Sequence, residues 1–274
     1  MYGFTYRNIH SGSFGLIIKT KTRPVAPPVK NSIEEVTAID GTVDYSDCMG
    51  RLYYNDKILE VGFTYPGKDM NDLHKQISKV VQWLSGGYGE LIFDDMPNVR
   101  WIARPIDLQA LTVKHIRCGT STVQFRCEPF NELIYDSTGI PIGSDIPIGS
   151  NTDIGFGEDS LHNLASGTNN ITYNYIGNAN VMPVLHFIGH FEGISVECNG
   201  RTFEYSDSIE ELYIGGKNHI CTSNDGADVS ENSNGEYIEF KPADNEIIVK
   251  CTGGGTMEII HNAKYYYGDV NFDD

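Results

Sequence analysis

The chain has 274 residues, 40% of them hydrophobic, and its 20 Lys+Arg against 37 Asp+Glu leave a formal charge of −17. No apolar run approaches the roughly 18 residues of a membrane-spanning helix, and the N-terminal MYGFTYRNIHSGSFG has neither the basic start nor the apolar stretch of a secretory leader, so the expectation is neither membrane insertion nor export. At roughly 100 to 200 residues per domain, the length predicts two domains.

In chain order, FGLIIKT, RLYYND and ILEVGFTY are runs rich in β-branched and aromatic residues bounded by Gly, Asn, Asp and Pro, which predicts strands. The next segment, DMNDLHKQISKVVQWLSGG, breaks this pattern. Leu73, Ile77, Val80, Val81 and Leu84 form the stripe of one amphipathic helix, with Asp69 or Asn71 as its cap and Gly86-Gly87 as a left-handed stop. GELIFDD and RWIARPI then flank Asp94-Asp95-Met96-Pro97-Asn98. Adjacent carboxylates are what an acid/base or metal site needs, but Asp, Pro and Asn also build tight turns, and side chains adjacent on a turn diverge. The turn reading is preferred over catalysis.

STVQFRC follows, and then GIPIGSDIPIGSNTDIGFG (139–157), where IPIGS occurs twice. Its Gly and Pro density marks a connector, so the expected division is 1–137, a linker over 138–157, and 158–274. The charge divides with it: 15 Lys+Arg against 16 Asp+Glu up to residue 137, and 5 against 21 beyond. Such an acidic second half argues against nucleic-acid binding there, since phosphate contacts need clustered Lys/Arg.

That half reads as short strands (PVLHFIG, ISVECNG, RTFEYSD, EELYIGG, GEYIEFK, NEIIVKC, TMEIIH) at the spacing of a β-sandwich or jelly roll, with Asn199-Gly200 as a two-residue hairpin turn and the glycines 253–255 lying between strands. The fold class is therefore mainly β, with one helix.

Chemistry is sparse. The six cysteines show no CxxC and no Cys/His spacing, and read as reduced thiols. His186 and His190 fall on one strand face but have no partner at ligand spacing in the sequence; NDGADVSENSNG (224–235) lacks the fixed acidic spacing of a calcium loop. No catalytic, metal or cofactor motif is present, and no cofactor is expected. The tyrosines Tyr173, Tyr175, Tyr205, Tyr213 and Tyr265-Tyr266-Tyr267 leave open a second reading, a carbohydrate-binding module.

The order of the N-terminal motifs resembles the distal tail protein (Dit) family of long, non-contractile-tailed bacteriophages. FTYRNIHSGSFGLIIKT, with Ser11 to Leu16, is similar to that family's opening strand pair. AIDGT (38–42), GRLYYND, ILEVGFTY, the helix ending in Trp83-Leu84, GELIFDDMPNVRWIARP and TVQFRCEPF (Phe125, Glu128, Pro129) follow in its order. NANVMPVLHFIGHFEGISVECNGRTFEY and NEIIVKCTGGGTMEII resemble the family's galectin-like sandwich. The resemblance implies an N-terminal β-sandwich with one helix and a β-hairpin extension, a galectin-like or jelly-roll second domain, and a structural role without enzymatic activity. It further implies a hexameric ring at the virion's tail tip, assembled in the host cytoplasm, joining the tail tube to the tail-associated lysin and to tail-fibre or receptor-binding proteins. Beside it, the apolar residues Leu52, Tyr53, Tyr54 and Ile58, Leu59, flanking the turn Asn55-Asp56-Lys57, are the candidate subunit-interface arm; an ordinary internal hairpin is the other reading.

Overall fold

The computed structural model describes residues 3–37, 39–48, 50–109, 112–115, 118–134 and 160–267; the doubled IPIGS connector lies outside them. The chain divides into two compact units, Met1–Ile134 with Tyr265–Asp274, and Tyr135–Lys264. The second unit is thus inserted ahead of the last residues of the first.

The first unit is built from β1 (Phe4–Tyr6), β2 (Ile9–His10), β3 (Ile17–Thr22), β4 (Ile33–Glu34), β5 (Val43–Asp44), β6 (Lys57–Pro66), α1 (Met70–Leu84), β7 (Gly89–Phe93), β8 (Met96–Leu108), β9 (Thr112–His115), β10 (Cys118–Cys127) and β11 (Asn131–Leu133). Its main sheet is antiparallel in the order β2-β1-β7-β8-β10-β6-β3, with β9 on β10 and β11 on β8. Along β10 every second residue is buried, so Val123, Phe125 and Cys127 enter the core. Pro105 sits inside β8 because the β8–β10 register shifts at Gln124/Phe125, where a missing N–H disturbs no ladder. β4 and β5 pair only with each other, as a small hairpin off the main sheet.

The helix starts where Asp69, in an extended conformation, accepts a hydrogen bond from Asp72 N at 2.8 Å. Its buried stripe is Leu73, Val80, Trp83 and Leu84; Val81 is exposed, and Trp83 takes the place expected for it. Trp83 stacks on Phe14 (4.7 Å between ring centroids) and Phe4 (5.4 Å), and its Nε1–H donates to Tyr6 O at 3.1 Å. Gly86 and Gly87 do not adopt the left-handed conformation expected of them. The helix ends instead on Ser85, whose backbone N–H and hydroxyl both donate to Val81 O. Gly86 and Gly89 instead lie against the exposed Arg7 side chain, which an added Cβ at either would meet within 2.4 Å.

The second unit contains β12 (Leu161–Leu164), β13 (Gly167–Tyr175), β14 (Val184–Cys198), β15 (Arg201–Gly215), β16 (Ile220–Ser223) and β17 (Ala243–Ile260); β18 (Lys264–Tyr265) is the last strand among the described residues and pairs with β11. The sheet order is β12-β17-β14-β15-β16, with β13 along the other end of β17. Six segments that read as separate strands are three long ones. β14, β15 and β17 run through shared register shifts near Phe191–Ile194, where Gly189, Gly193 and Gly253 take positive φ (138°, 115° and 100°). The triple glycine therefore lies within β17 and not between strands; a Cβ on Gly253 would meet His190 O at 2.1 Å. Both ends of these strands feed one core, with Leu185, Phe187, Val196, Phe203, Leu212, Val249 and Met257 fully buried. Asn199-Gly200 makes the expected turn, both residues at positive φ (51° and 79°).

Two substitutions test these readings. Trp83→Ala removes a buried indole and is expected to cost the first unit about 3–5 kcal/mol, while Val81→Ala stays within about 0.5 kcal/mol; denaturant titration measures both. Gly253→Ala forces a Cβ into the β14 backbone at a strained φ and is expected to lower the second unit's stability by about 2 kcal/mol or more, read from its own thermal transition.

Candidate functional site

Between β3 and β6 the chain leaves the sheet and returns as an arm. Pro24, Pro27 and Pro28 remove backbone donors on the way out. At the root, Lys30 N donates to Tyr53 O and Asn55 N to Pro28 O, both at 2.7 Å, and Val29 bridges Tyr54. The β4–β5 hairpin lies farther along. Asp44 accepts from Ser46 N at 2.8 Å, and hydrogen bonds from Ser46 hold its carboxyl below the usual range. Val25 (69% exposed), Ile39 (56%) and Ile33 (52%) carry apolar surface to solvent, with Val36, Tyr45 and Leu52 also exposed. Between β3 and β6, Arg23, Lys30 and Arg51 stand against Glu34, Glu35, Asp40, Asp44, Asp47 and Asp56, so the arm is acidic.

The expected hairpin over 52–59 is not where the arm forms; the hairpin extension is β4–β5. Leu52 is exposed, and Tyr53 lies under the Arg51 guanidinium, 4.4 Å from its ring centroid. Tyr54 belongs to the root. Asn55-Asp56-Lys57 is no turn, because Lys57 already begins β6. Ile58 is half-buried on that strand, and Leu59 is fully buried in the core. An apolar run bordering a polar triplet looks the same whether it turns or enters a sheet, and only pairing with β10 decides.

Below the root lies a buried polar contact. Lys57 Nζ donates to Tyr266 O at 2.5 Å and to Asn131 Oδ1 at 3.3 Å. Burial lowers its amine pKa to about 8. Tyr54, Phe130 and Tyr266 pack edge to face around it, with centroids 5.2–5.7 Å apart, and the Tyr54 and Tyr266 hydroxyls meet at 3.1 Å. Sequence reasoning missed this cluster, because its members are brought together from three distant stretches.

Asp94 and Asp95 form the two-residue link between β7 and β8, and their carboxylates diverge. Asp94 accepts from Gly3 N and faces His10 Nε2 at 3.2 Å. Asp95 takes Lys21 Nζ and Arg23 Nη2, each at 2.8 Å. Partial burial raises its pKa, but these two cations outweigh it and hold the carboxyl below its usual range. The pair serves a turn and two separate tethers.

His186 and His190 also engage different partners, and the carboxylate nearest each comes from the neighbouring strand β15. His186 stacks on Tyr213 (3.9 Å) and contacts Glu211 at 2.9 Å and Glu258 at 3.5 Å; His190 contacts Glu210 at 2.8 Å. Among the described residues no group of three or more His, Cys, Asp or Glu is arranged to hold a metal ion. Tyr173, Tyr175, Tyr205 and Tyr265 are buried, so these four tyrosines, part of the motive for a sugar-binding reading, are packing residues. No helix among the described residues is long and apolar enough to cross a membrane.

An antiparallel sheet with one capping helix and a projecting arm is the setting in which the comparisons fall. Residues 9–127, within the first unit, match the family model described as the phage tail protein RIFT-related domain. Over the whole chain, the fold is similar to the crystal structure of the Dit protein of phage SPP1, described as a paradigm of the hub adsorption apparatus in phages infecting Gram-positive bacteria. The TM-score is 0.65 at 12% identity, covering 96% of this chain and 99% of that one. No curated protein matches the sequence. The resemblance drawn from the ordered N-terminal motifs is borne out by the family match and by the fold.

Lys57 makes stability depend on pH in a defined direction. Its folded pKa of about 8 lies below the ordinary 10.5, so the buried charge costs stability below pH 8, and that cost is relieved as pH rises from 8 toward 10.5. Tyr65, raised to about 12 by burial, acts oppositely above its ordinary 10. The buried Cys127 thiol, held above its ordinary 9, offsets the gain from pH 9 upward, so the first unit is expected to gain stability between pH 8 and 9 and Lys57→Met to flatten that rise; denaturant midpoints across the window check both.

Proposed function

We propose that this chain is a structural component of a siphophage tail tip, working by shape and mutual docking. The first unit assembles into a ring, hexameric as in the Dit resemblance. The ring joins the tail tube to the tail-associated lysin and adsorption apparatus. The observation that carries this reading is the arm. It is an extended hairpin whose Ile33 and Ile39 are more than half exposed, on a domain of a phage tail family. Apolar surface held out on an ordered scaffold is what a partner subunit covers, and a ring requires such a heterologous contact, one face of a subunit on a different face of the next.

The interface residues proposed are accordingly Leu52 with Val25, Ile33, Val36, Ile39 and Tyr45. The charge distribution supports the arrangement: the near-neutral first half associates, while the acidic second half keeps neighbouring second units apart.

Light scattering after size exclusion tests the reading. The wild-type chain is expected to run as a multimer, and the double variant Ile33→Glu, Ile39→Glu as a folded monomer with an unchanged thermal transition. A wild-type chain that stays monomeric at every concentration overturns the proposal.

A further inference from the structure

The chain leaves the first unit after Ile134 and re-enters it at Tyr265. Lys264, the last residue of the second unit, is fixed there by three backbone contacts: its N–H donates to Tyr175 Oη at 2.8 Å, and its carbonyl accepts from Asn178 N and Ala179 N at 3.0 and 3.1 Å. The next two residues are spent on the first unit. Tyr265 is buried on the short strand that pairs with β11. Tyr266 then makes contacts that converge on one place, the root of the arm.

Three features identify that place. Tyr54, whose ring and hydroxyl meet Tyr266, belongs to the segment 53–55 that holds segment 28–30 by two backbone hydrogen bonds, one from the Asn55 side chain to Val29 O, and one bridge. Lys57, whose ammonium uses the Tyr266 carbonyl, is the first residue of β6, where the arm rejoins the sheet. Phe130, packed against both tyrosines, precedes the Asn131 that supplies the other acceptor for Lys57. With Tyr266 removed, the buried ammonium loses its closest acceptor and Tyr54 loses a ring and a hydroxyl partner. A buried charge short of acceptors is costly, and water relieves it. The half-exposed root is the nearest part of the fold able to open and admit it.

We propose that Tyr265–Tyr266 is a latch on the arm: it fixes the 28–30/53–55 pairing, so the docking hairpin is held in place only in a chain that has been synthesised through Tyr266 and has folded its inserted unit. The consequence for assembly rests on the ring reading above; the latch itself does not. Chains that stop short would carry a loose arm and be poor partners, which excludes unfinished subunits from a ring.

Hydrogen exchange read by mass spectrometry, at a concentration where the wild-type chain is monomeric, separates the two ideas. Ending the chain after Lys264 is expected to speed exchange of the Lys30 and Asn55 amides by on the order of tenfold or more, with β8 and β10 unchanged. Tyr266→Ala in the full chain should do the same in milder form and guards against misfolding of the truncated chain. A synthetic peptide of residues 264–274 added to the truncated chain should restore protection. Unchanged exchange at Lys30 and Asn55 in both variants overturns the latch while leaving ring assembly untouched. A wild-type chain that never assembles, with exchange responding as described, overturns the ring and leaves the latch standing.

Discussion

The first unit depends on one ladder. β6 and β10 pair without a break from Pro66↔Cys118 to Lys57↔Cys127, ten residues on each side. Because the register is continuous, burial at one end dictates burial at the other, and Leu59, Val61, Phe63 and Phe125 are carried to a common core. The helix packs over that core through Leu73, Val80 and Trp83. The arm departs from the ladder's Lys57 end, and Phe130 and Asn131 follow within a few residues of Cys127. A slip of one residue would turn Lys57 outward and Ile58 inward. It would also dissolve the contact that anchors the arm root, so the ladder sets the position of everything the arm needs.

The two units solve the problem of burying β-strands differently. In the first, short and medium strands alternate cleanly, and one amphipathic helix caps the sheet. In the second, β14, β15 and β17 are so long that each serves the core twice. Their buried residues change phase across the register shifts: Leu185, Phe187 and Phe191 precede the break in β14, and Ile194, Val196 and Cys198 follow it. Glycines at positive φ permit that change of phase, since each must accept close backbone or an αL-like conformation that a Cβ would obstruct. The acidic side chains then fall on outward positions, where Glu204, Glu210 and Glu211 alternate or border with buried Phe203, Tyr205 and Leu212.

Much of this was legible in the residue order, for physical reasons. Helix periodicity and the Asp69 cap are local, as is the Asn199-Gly200 turn, and these formed as read. The divergence of Asp94 and Asp95 also follows from their adjacency. What was not legible depends on partners distant in sequence. Trp83 displaces Val81 from the core because Phe4 and Phe14 are waiting to stack on it. Gly86 and Gly89 lie against Arg7 and do not form a left-handed helix stop. His186 finds its glutamates across two strand pairings, and no spacing within its own strand announces them. The arm was sought at Leu52–Leu59 from its hydrophobic pattern. The exposed hairpin instead uses Ile33, Val43 and the turn between them, a stretch too weakly apolar to stand out in sequence.

The insertion of the second unit has a kinetic side. The Lys57–Tyr266 contact joins residues 209 apart in sequence. Closing a loop of that size is slow unless the intervening chain has already become compact. Folding of the inserted unit supplies the compaction, because its own terminal residue, Lys264, is fixed by contacts with Tyr175, Asn178 and Ala179, all within the unit. The buried ammonium of Lys57 must therefore wait for its second acceptor until the rest of the chain is in order. During that wait the root of the arm is the part of the first unit with the least to hold it. A polar contact that is expensive when incomplete, supplied by the segment that follows the inserted unit and placed beside the docking hairpin, makes completion of that unit and readiness of the arm a single event.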